Sequence, residues 1–287
     1  MSRNNSDRMS GPPPGNKSPA STRAATVDNS SLNFSVPTEF VDLPSEGRLY
    51  PDDHPLYGEP HIEIRHMTAK EEDILSSQTL LKKGVALDRL LTNLIVNKQI
   101  SPDSLYVGDK NAILVAARIS GYGAEYKTRM ICPSCFTNQE VDFDLNEKQI
   151  YKGDNYNDFD ISKTGSGTFI IKLPVTTIDI EVRLLTGKQE SHLAKLAIKK
   201  KKQKLPESTT TDQFKAIIVS ANGNKEHSNI AALINHMPAK DARYLRRAYE
   251  CISPKLDLRQ AFECEACGFE TEGLEVPFTT DFFWPKQ

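Results

Sequence analysis

The sequence predicts an α+β fold in three parts: a helical N-terminal unit, a β unit closed by two paired-cysteine turns, and a helical insertion between those turns. Three observations carry this prediction. Apolar residues recur at helical spacing from Thr68 to Gly123, the period changes to two after Tyr126, and helical spacing returns between Thr186 and Ile252 before strand-like segments follow. The 287 residues, 38% apolar and 26% charged, are enough for about two domains. The slightly low apolar content points to some tail or linker.

The parts follow in order. Residues 1–37 are rich in Ser, Asn, Pro and Gly, with Pro12, Pro13 and Pro14 in a row, and are expected to be a disordered tail. Residues 38–125 combine an extended Pro/Gly loop with helices. In VDLPSEGRLYPDDHPLYGEP, four prolines forbid helix and interrupt a sheet ladder, while Leu43, Leu49, Tyr50, Leu56 and Tyr57 give the loop something to bury. His61 to Arg65 alternates like a strand, and Thr68 with Glu71 forms a capping box for a helix that stops before Gly84. A second helix follows from about Val85 to Val96, with an apolar stripe of Leu87, Leu90, Leu91, Leu94 and Ile95. A third is expected to be capped by Asp109 and to end near Gly121 and Gly123.

Residues 126–185 and 253–287 form the expected β unit, with strands at Lys127–Ile131, Glu140–Leu145, Thr168–Leu173 and Ile178–Leu184, then LRQAFEC and GLEVPF. The insertion, 186–252, opens with a helix from Thr186 to about Lys204. PESTTTD reads as a short, protease-sensitive linker, and helix resumes between Phe214 and Ile252 with Asp241, Arg243, Arg246 and Arg247 on a charged face.

Lys and Arg total 36 against 38 Asp and Glu, so a net charge of −2 supplies no global attraction to nucleic acid or to anionic membrane. No run of 18 apolar residues occurs, and Met1 to Val27 lacks an apolar core. Neither a membrane span nor a secretory signal is expected, and the chain is expected to fold in a cytosol. Five cysteines, an odd number in a reducing compartment, suit metal binding better than disulfides.

Cys132-Pro-Ser-Cys135 and Cys264-Glu-Ala-Cys267 are two C-x2-C pairs, each between strand-like segments. A tight turn between strands can aim two thiolates at one ion, and two such turns complete the four soft ligands of a tetrahedral structural zinc. The expected site is therefore zinc-ribbon-like, with Cys132, Cys135, Cys264 and Cys267 as ligands. The long interval, residues 136–263, is acceptable because loop closure costs little more with length, whereas structural zinc supplies on the order of 10 kcal/mol or more. Gly268 follows the second pair where Phe136 follows the first, so the two turns are not equivalent. Cys251 reads as a buried apolar thiol.

Other signals are weaker. Lys199, Lys200, Lys201, Lys202 and Lys204 sit at the end of a helix, where the dipole favours them, and lack the interleaved aromatics of a single-strand platform. Phe278, Phe282, Phe283 and Trp284 make an aromatic end that belongs either in the core or at an interface. There is no P-loop, no G-x-S-x-G and no H-E-x-x-H, the six histidines are scattered, and Asp52 and Asp53 read as turn formers, so no enzyme is expected.

Taken in order, FVDLPSEGRLYP, MTAKEEDIL, LKKGVALDRLL, GDKNAILVAARISGYG, the paired CPSC and CEAC, and VPFTTDFFWP resemble the baseplate hub protein family of T-even-type tailed bacteriophages. The resemblance runs from about Phe40 to Pro285. It implies a structural or assembly role in building the tail baseplate hub, without catalytic residues. Its implied partners are other phage baseplate hub proteins, met in the host cytoplasm during assembly or in the virion, and the four cysteines match the family's paired pattern. The expected contact surfaces are the Leu43–Tyr57 loop and the Phe282, Phe283, Trp284 cluster. The rival expectation is a zinc-ribbon nucleic-acid-binding protein using Lys199–Lys204.

Overall fold

In the computed structural model, which describes residues 36–277 and 280–283, the chain opens as an antiparallel pair, Thr38–Asp42 (β1) against His61–Arg65 (β2). The Pro/Gly stretch between them folds into consecutive turns. Leu43 N–H donates to Pro60 O at 2.8 Å, His54 N–H to Pro51 O at 2.9 Å, and Tyr57 N–H to His54 O at 2.9 Å. Gly47 is required here: at φ +70°, a Cβ would lie 2.4 Å from Leu56 O. Leu43, Leu49, Tyr50 and Leu56 are all buried, which corrects the expectation that this loop is a contact surface; Tyr57 alone of the five named residues stays exposed.

Four helices follow. Thr68 and Glu71 make the expected capping box of Ala69–Ser76 (α1). The single helix expected up to Gly84 is broken at Ser77, whose extended backbone separates α1 from Gln78–Lys83 (α2). Ala86–Leu94 (α3) buries Leu90, Leu91 and Leu94, with Leu87 left at the margin. In Val107–Tyr122 (α4) the N-cap is Tyr106, not Asp109. Asp109 lies within the first turn and is fully buried, because its carboxylate serves the preceding loop instead. These helices enclose a first core that also takes in Tyr126, Phe143, Leu145, Leu258, Val276, Phe282 and Phe283.

A second core forms on a four-stranded antiparallel sheet. Its strands are Ile161–Lys163 (β6), Phe169–Lys172 (β7), Asp179–Val182 (β8) and Ile218–Ala221 (β9), adjacent in that order. A short pair of Gln149–Tyr151 (β5) with Lys255–Asp257 (β10) precedes and follows it in the chain. Gly187–Lys202 (α5) buries only Gly187, whereas Thr209–Ile217 (α6), His227–His236 (α7) and Ala239–Ile252 (α8) pack on the sheet. The stretch from Phe214 to Ile252 is thus not purely helical. The β-branched Ile218 and Val219 continue an alternating burial pattern and pair with β8, which outweighs the helical spacing of their flanks. Part of the expected linker is likewise the start of α6. Asp241 also leaves the charged face assigned to it: it is buried and accepts hydrogen bonds from Val175 N–H (2.9 Å), Thr176 N–H (3.0 Å) and Thr176 Oγ1 (2.8 Å), holding the β7–β8 turn.

Candidate metal centre

Glu125–Ile131 (β3) and Asn138–Asp144 (β4) pair in unbroken register from Glu125 opposite Asp144 to Ile131 opposite Asn138. Alternation sends Tyr126 and Thr128 inward, which fixes the face on which the turn emerges. Arg259–Glu263 (β11) and Glu270–Glu275 (β12) form the second hairpin, with a register shift between Gln260 and Phe262. Both hairpins end in the same turn. Phe136 N–H donates to Cys132 O at 3.0 Å and Cys132 N–H to Thr137 O at 2.9 Å; likewise Gly268 N–H donates to Cys264 O at 2.8 Å and Cys264 N–H to Phe269 O at 2.9 Å.

The turns meet. The four sulfurs of Cys132, Cys135, Cys264 and Cys267 all lie within 4.8 Å of one another, with Cys132 Sγ to Cys267 Sγ at 3.9 Å and Cys135 Sγ to Cys264 Sγ at 3.6 Å. Ligands at about 2.3 Å from a central zinc define a tetrahedron with edges of about 3.8 Å, so the donor set suits such an ion in both chemistry and spacing. Cys132 and Cys264 are buried against Phe262, Val141, Phe269 and Leu274, while Cys135 and Cys267 face outward. The Ser134 amide points at Cys132 Sγ at 3.4 Å, a donor for sulfur charge. Hydrogen bonding with the Thr137 hydroxyl and amide brings Cys135 down to about 6. The Phe269 amide favours the Cys267 thiolate, but the neighbouring sulfurs, Cys135 foremost, push its pKa up to about 12.

Two glutamines bridge the hairpins below the cysteines. Gln139 donates to Glu263 O at 3.0 Å and accepts from Glu265 N–H at 3.3 Å; Gln260 accepts from Asp144 N–H at 3.1 Å and donates to Asp144 O at 2.6 Å. Each amide side chain imitates a backbone rung between strands that do not pair directly.

The remaining chemistry-bearing residues are dispersed. His54 is locked in its loop, bonded to Ser104 Oγ (2.9 Å) and the Leu56 amide (3.1 Å) and stacked on Tyr50; burial lowers its pKa. His61 pairs with Asp42. In the lysine run, Lys200 is bound to Asp212 at 2.5 Å and to Ser208, at the end of α5. Cys251 is only partly buried. Phe282 and Phe283 are buried in the first core, Phe282 edge-on to Tyr126, which corrects their assignment to a contact surface; Phe278 and Trp284 lie outside the described residues.

Sequence reasoning missed the buried charges. Glu71 is bound by Arg65 and Thr68, and Asp109 by Ser45 and Tyr50. Lys110 sits 2.9 Å from both Asp88 and Glu190; burial works against its charge, but the two carboxylates hold its pKa above the ordinary value. Arg118 donates to Phe282 O (2.6 Å), Glu125 O (2.9 Å) and Gly123 O. The signal was present in GDKNAILVAARI, where charged residues interrupt an apolar helix on its buried side. Asp109, Lys110 and Arg118 each join distant segments, whereas these partners of Glu71 are local.

Residues 36–284 match the family model described as T4 bacteriophage base plate protein. No curated protein and no solved structure matches the chain.

Proposed function

The chain belongs to the T4 bacteriophage base plate protein family, and from that premise we propose that it is a non-enzymatic structural or assembly protein of the tail baseplate hub, held in shape by one structural zinc and acting by binding other phage structural proteins. The carrying observation is the extent of the match, which takes in both cysteine turns and both cores. Cys132, Cys135, Cys264 and Cys267 would hold the ion; bound there, zinc would supply a cross-link between two hairpins that share no backbone ladder. Four thiolates leave it no position for a reacting water. The buried charges described above support the same reading, because each is engaged in holding the fold together.

Elemental analysis of protein purified without chelator is expected to find about one zinc per chain. A folded chain with almost no metal would overturn the zinc assignment. Infection by phage lacking this protein is expected to yield heads and tail fibres without completed baseplates, and normal tails from such phage would end the assembly reading.

A further inference from the structure

The two cysteine turns provide an internal comparison. Both make the same pair of hydrogen bonds, and both place the residue after the second cysteine in the left-handed region: Gly268 at φ 66° and Phe136 at φ 60°. Glycine adopts this conformation freely, whereas a bulky side chain is strained there. Phe136 gains no burial in return, for it is 78% exposed, the largest value for a large apolar side chain among the described residues. Ile131, at the root of the same turn, is 61% exposed. An aromatic side chain that is strained and solvated contributes little to its own fold.

The adjoining hairpin contains a second choice unfavourable to folding. Glu263 and Glu270 are directly opposite across β11 and β12, an arrangement in which like charges repel. Glu263, Glu265, Glu270 and Glu272 are exposed, and none forms an ion pair among the described residues. On the first hairpin, by contrast, Lys127 is paired with Asp142 and Arg129 with Glu140. The Gln139 bonds to Glu263 O and Glu265 N–H place the acidic strand beside the turn that carries Phe136.

We propose that the cysteine-closed end of the two hairpins is a docking surface for a basic protein segment with an apolar pocket, which Phe136 enters while Glu263, Glu265, Glu270 and Glu272 meet the positive rim. Charge complementarity selects this occupant, and the same glutamates repel the phosphates of a nucleic acid. The inference rests on the baseplate reading for the source of the partner.

The probes are the other baseplate proteins of the same phage, expressed singly and tested against the zinc-loaded full chain. Phe136→Gly is expected to retain zinc and to melt no lower than the parent, yet to weaken binding by about thirtyfold or more, as loss of an aromatic anchor does. Glu263→Gln with Glu270→Gln is expected to raise the melting temperature while weakening binding, and the parent's affinity is expected to fall with added salt. A variant that weakens binding while stabilising the free chain cannot be acting through misfolding. Unchanged affinity in both variants, with a baseplate protein bound, overturns the docking surface and leaves the baseplate reading intact. A lower melting temperature for Phe136→Gly makes Phe136 a support of the turn and also overturns the proposal. If no baseplate protein binds the parent chain, the baseplate reading and this partner fall together; DNA binding lost in Phe136→Gly would overturn the choice of a protein partner.

Discussion

Asp109 is enclosed by the segment it holds: Ser45 N–H, Ser45 Oγ and Tyr50 Oη donate to it at 2.9, 2.6 and 2.7 Å. Burial raises its pKa and these three donors oppose that shift. Asp109→Ala strands three donors in the interior and is expected to cost about 3 kcal/mol in urea unfolding. Glu71 behaves in the opposite sense. Burial works against its charge, but hydrogen bonds from Thr68 and Arg65 and the Arg65 charge outweigh it, so the carboxyl titrates below its usual range. Its contribution is therefore fully present above the unfolded value of about 4.3 and is lost as the pH falls through the lower folded value. Glu71→Gln keeps a capping-box acceptor but loses the charge facing Arg65. It is expected to be about 1.5 kcal/mol less stable than the parent at neutral pH. The gap should shrink in urea titrations carried below about pH 4, and a gap that persists in acid would assign the loss to packing.

Elements meet here through close backbone approach as well as side chains. Gly108, in the first turn of α4, faces the segment before β10 so closely that a Cβ would lie 2.0 Å from Pro254 O. Gly108→Ala must push the helix off that segment, and a loss of about 2 kcal/mol is expected by thermal unfolding, with little change in zinc content. The same need explains why α4 begins before Asp109. Tyr106 N–H is satisfied by Tyr50 Oη, and Val107 N–H donates to Leu185 O at 3.1 Å, so the helix start is held from outside the helix. A capping signal read from Asp109 alone cannot include donors and acceptors that arrive from residues 50 and 185.

Across the molecule, two cores share one seam. The Pro/Gly loop contributes Leu43, Tyr50 and Leu56 to the first core and Leu49 to the second, and Tyr106 packs against both. The second core contains no residue of the two cysteine hairpins. Metal removal is therefore expected to loosen one part of the protein before the other. After chelation, hydrogen exchange should rise in residues 125–144 and 259–275, while residues 161–182 and 209–252 keep their protection. Uniform loss of protection would show that the cores unfold as one unit.

The sequence by itself determined those features whose cause is local. These are the capping box at Thr68, the helix start at Thr186, the strand alternation of β3, β4, β7 and β8, the end of α2 at Gly84, and the pairing of cysteines across C-x2-C turns. Each depends on a few consecutive residues and the fixed periods of helix and strand. Tertiary structure decided the features that depend on distant partners. Ile218–Ala221 became a strand because β8 offered an edge, and Asp109 and Asp241 went inside because loops between 59 and 66 residues earlier in the chain supplied their donors. The Pro/Gly loop and Phe282 and Phe283 were taken into the cores for the same reason. An aromatic or apolar side chain gains as much from a core as from an interface, so its sequence cannot say which surface removes it from water.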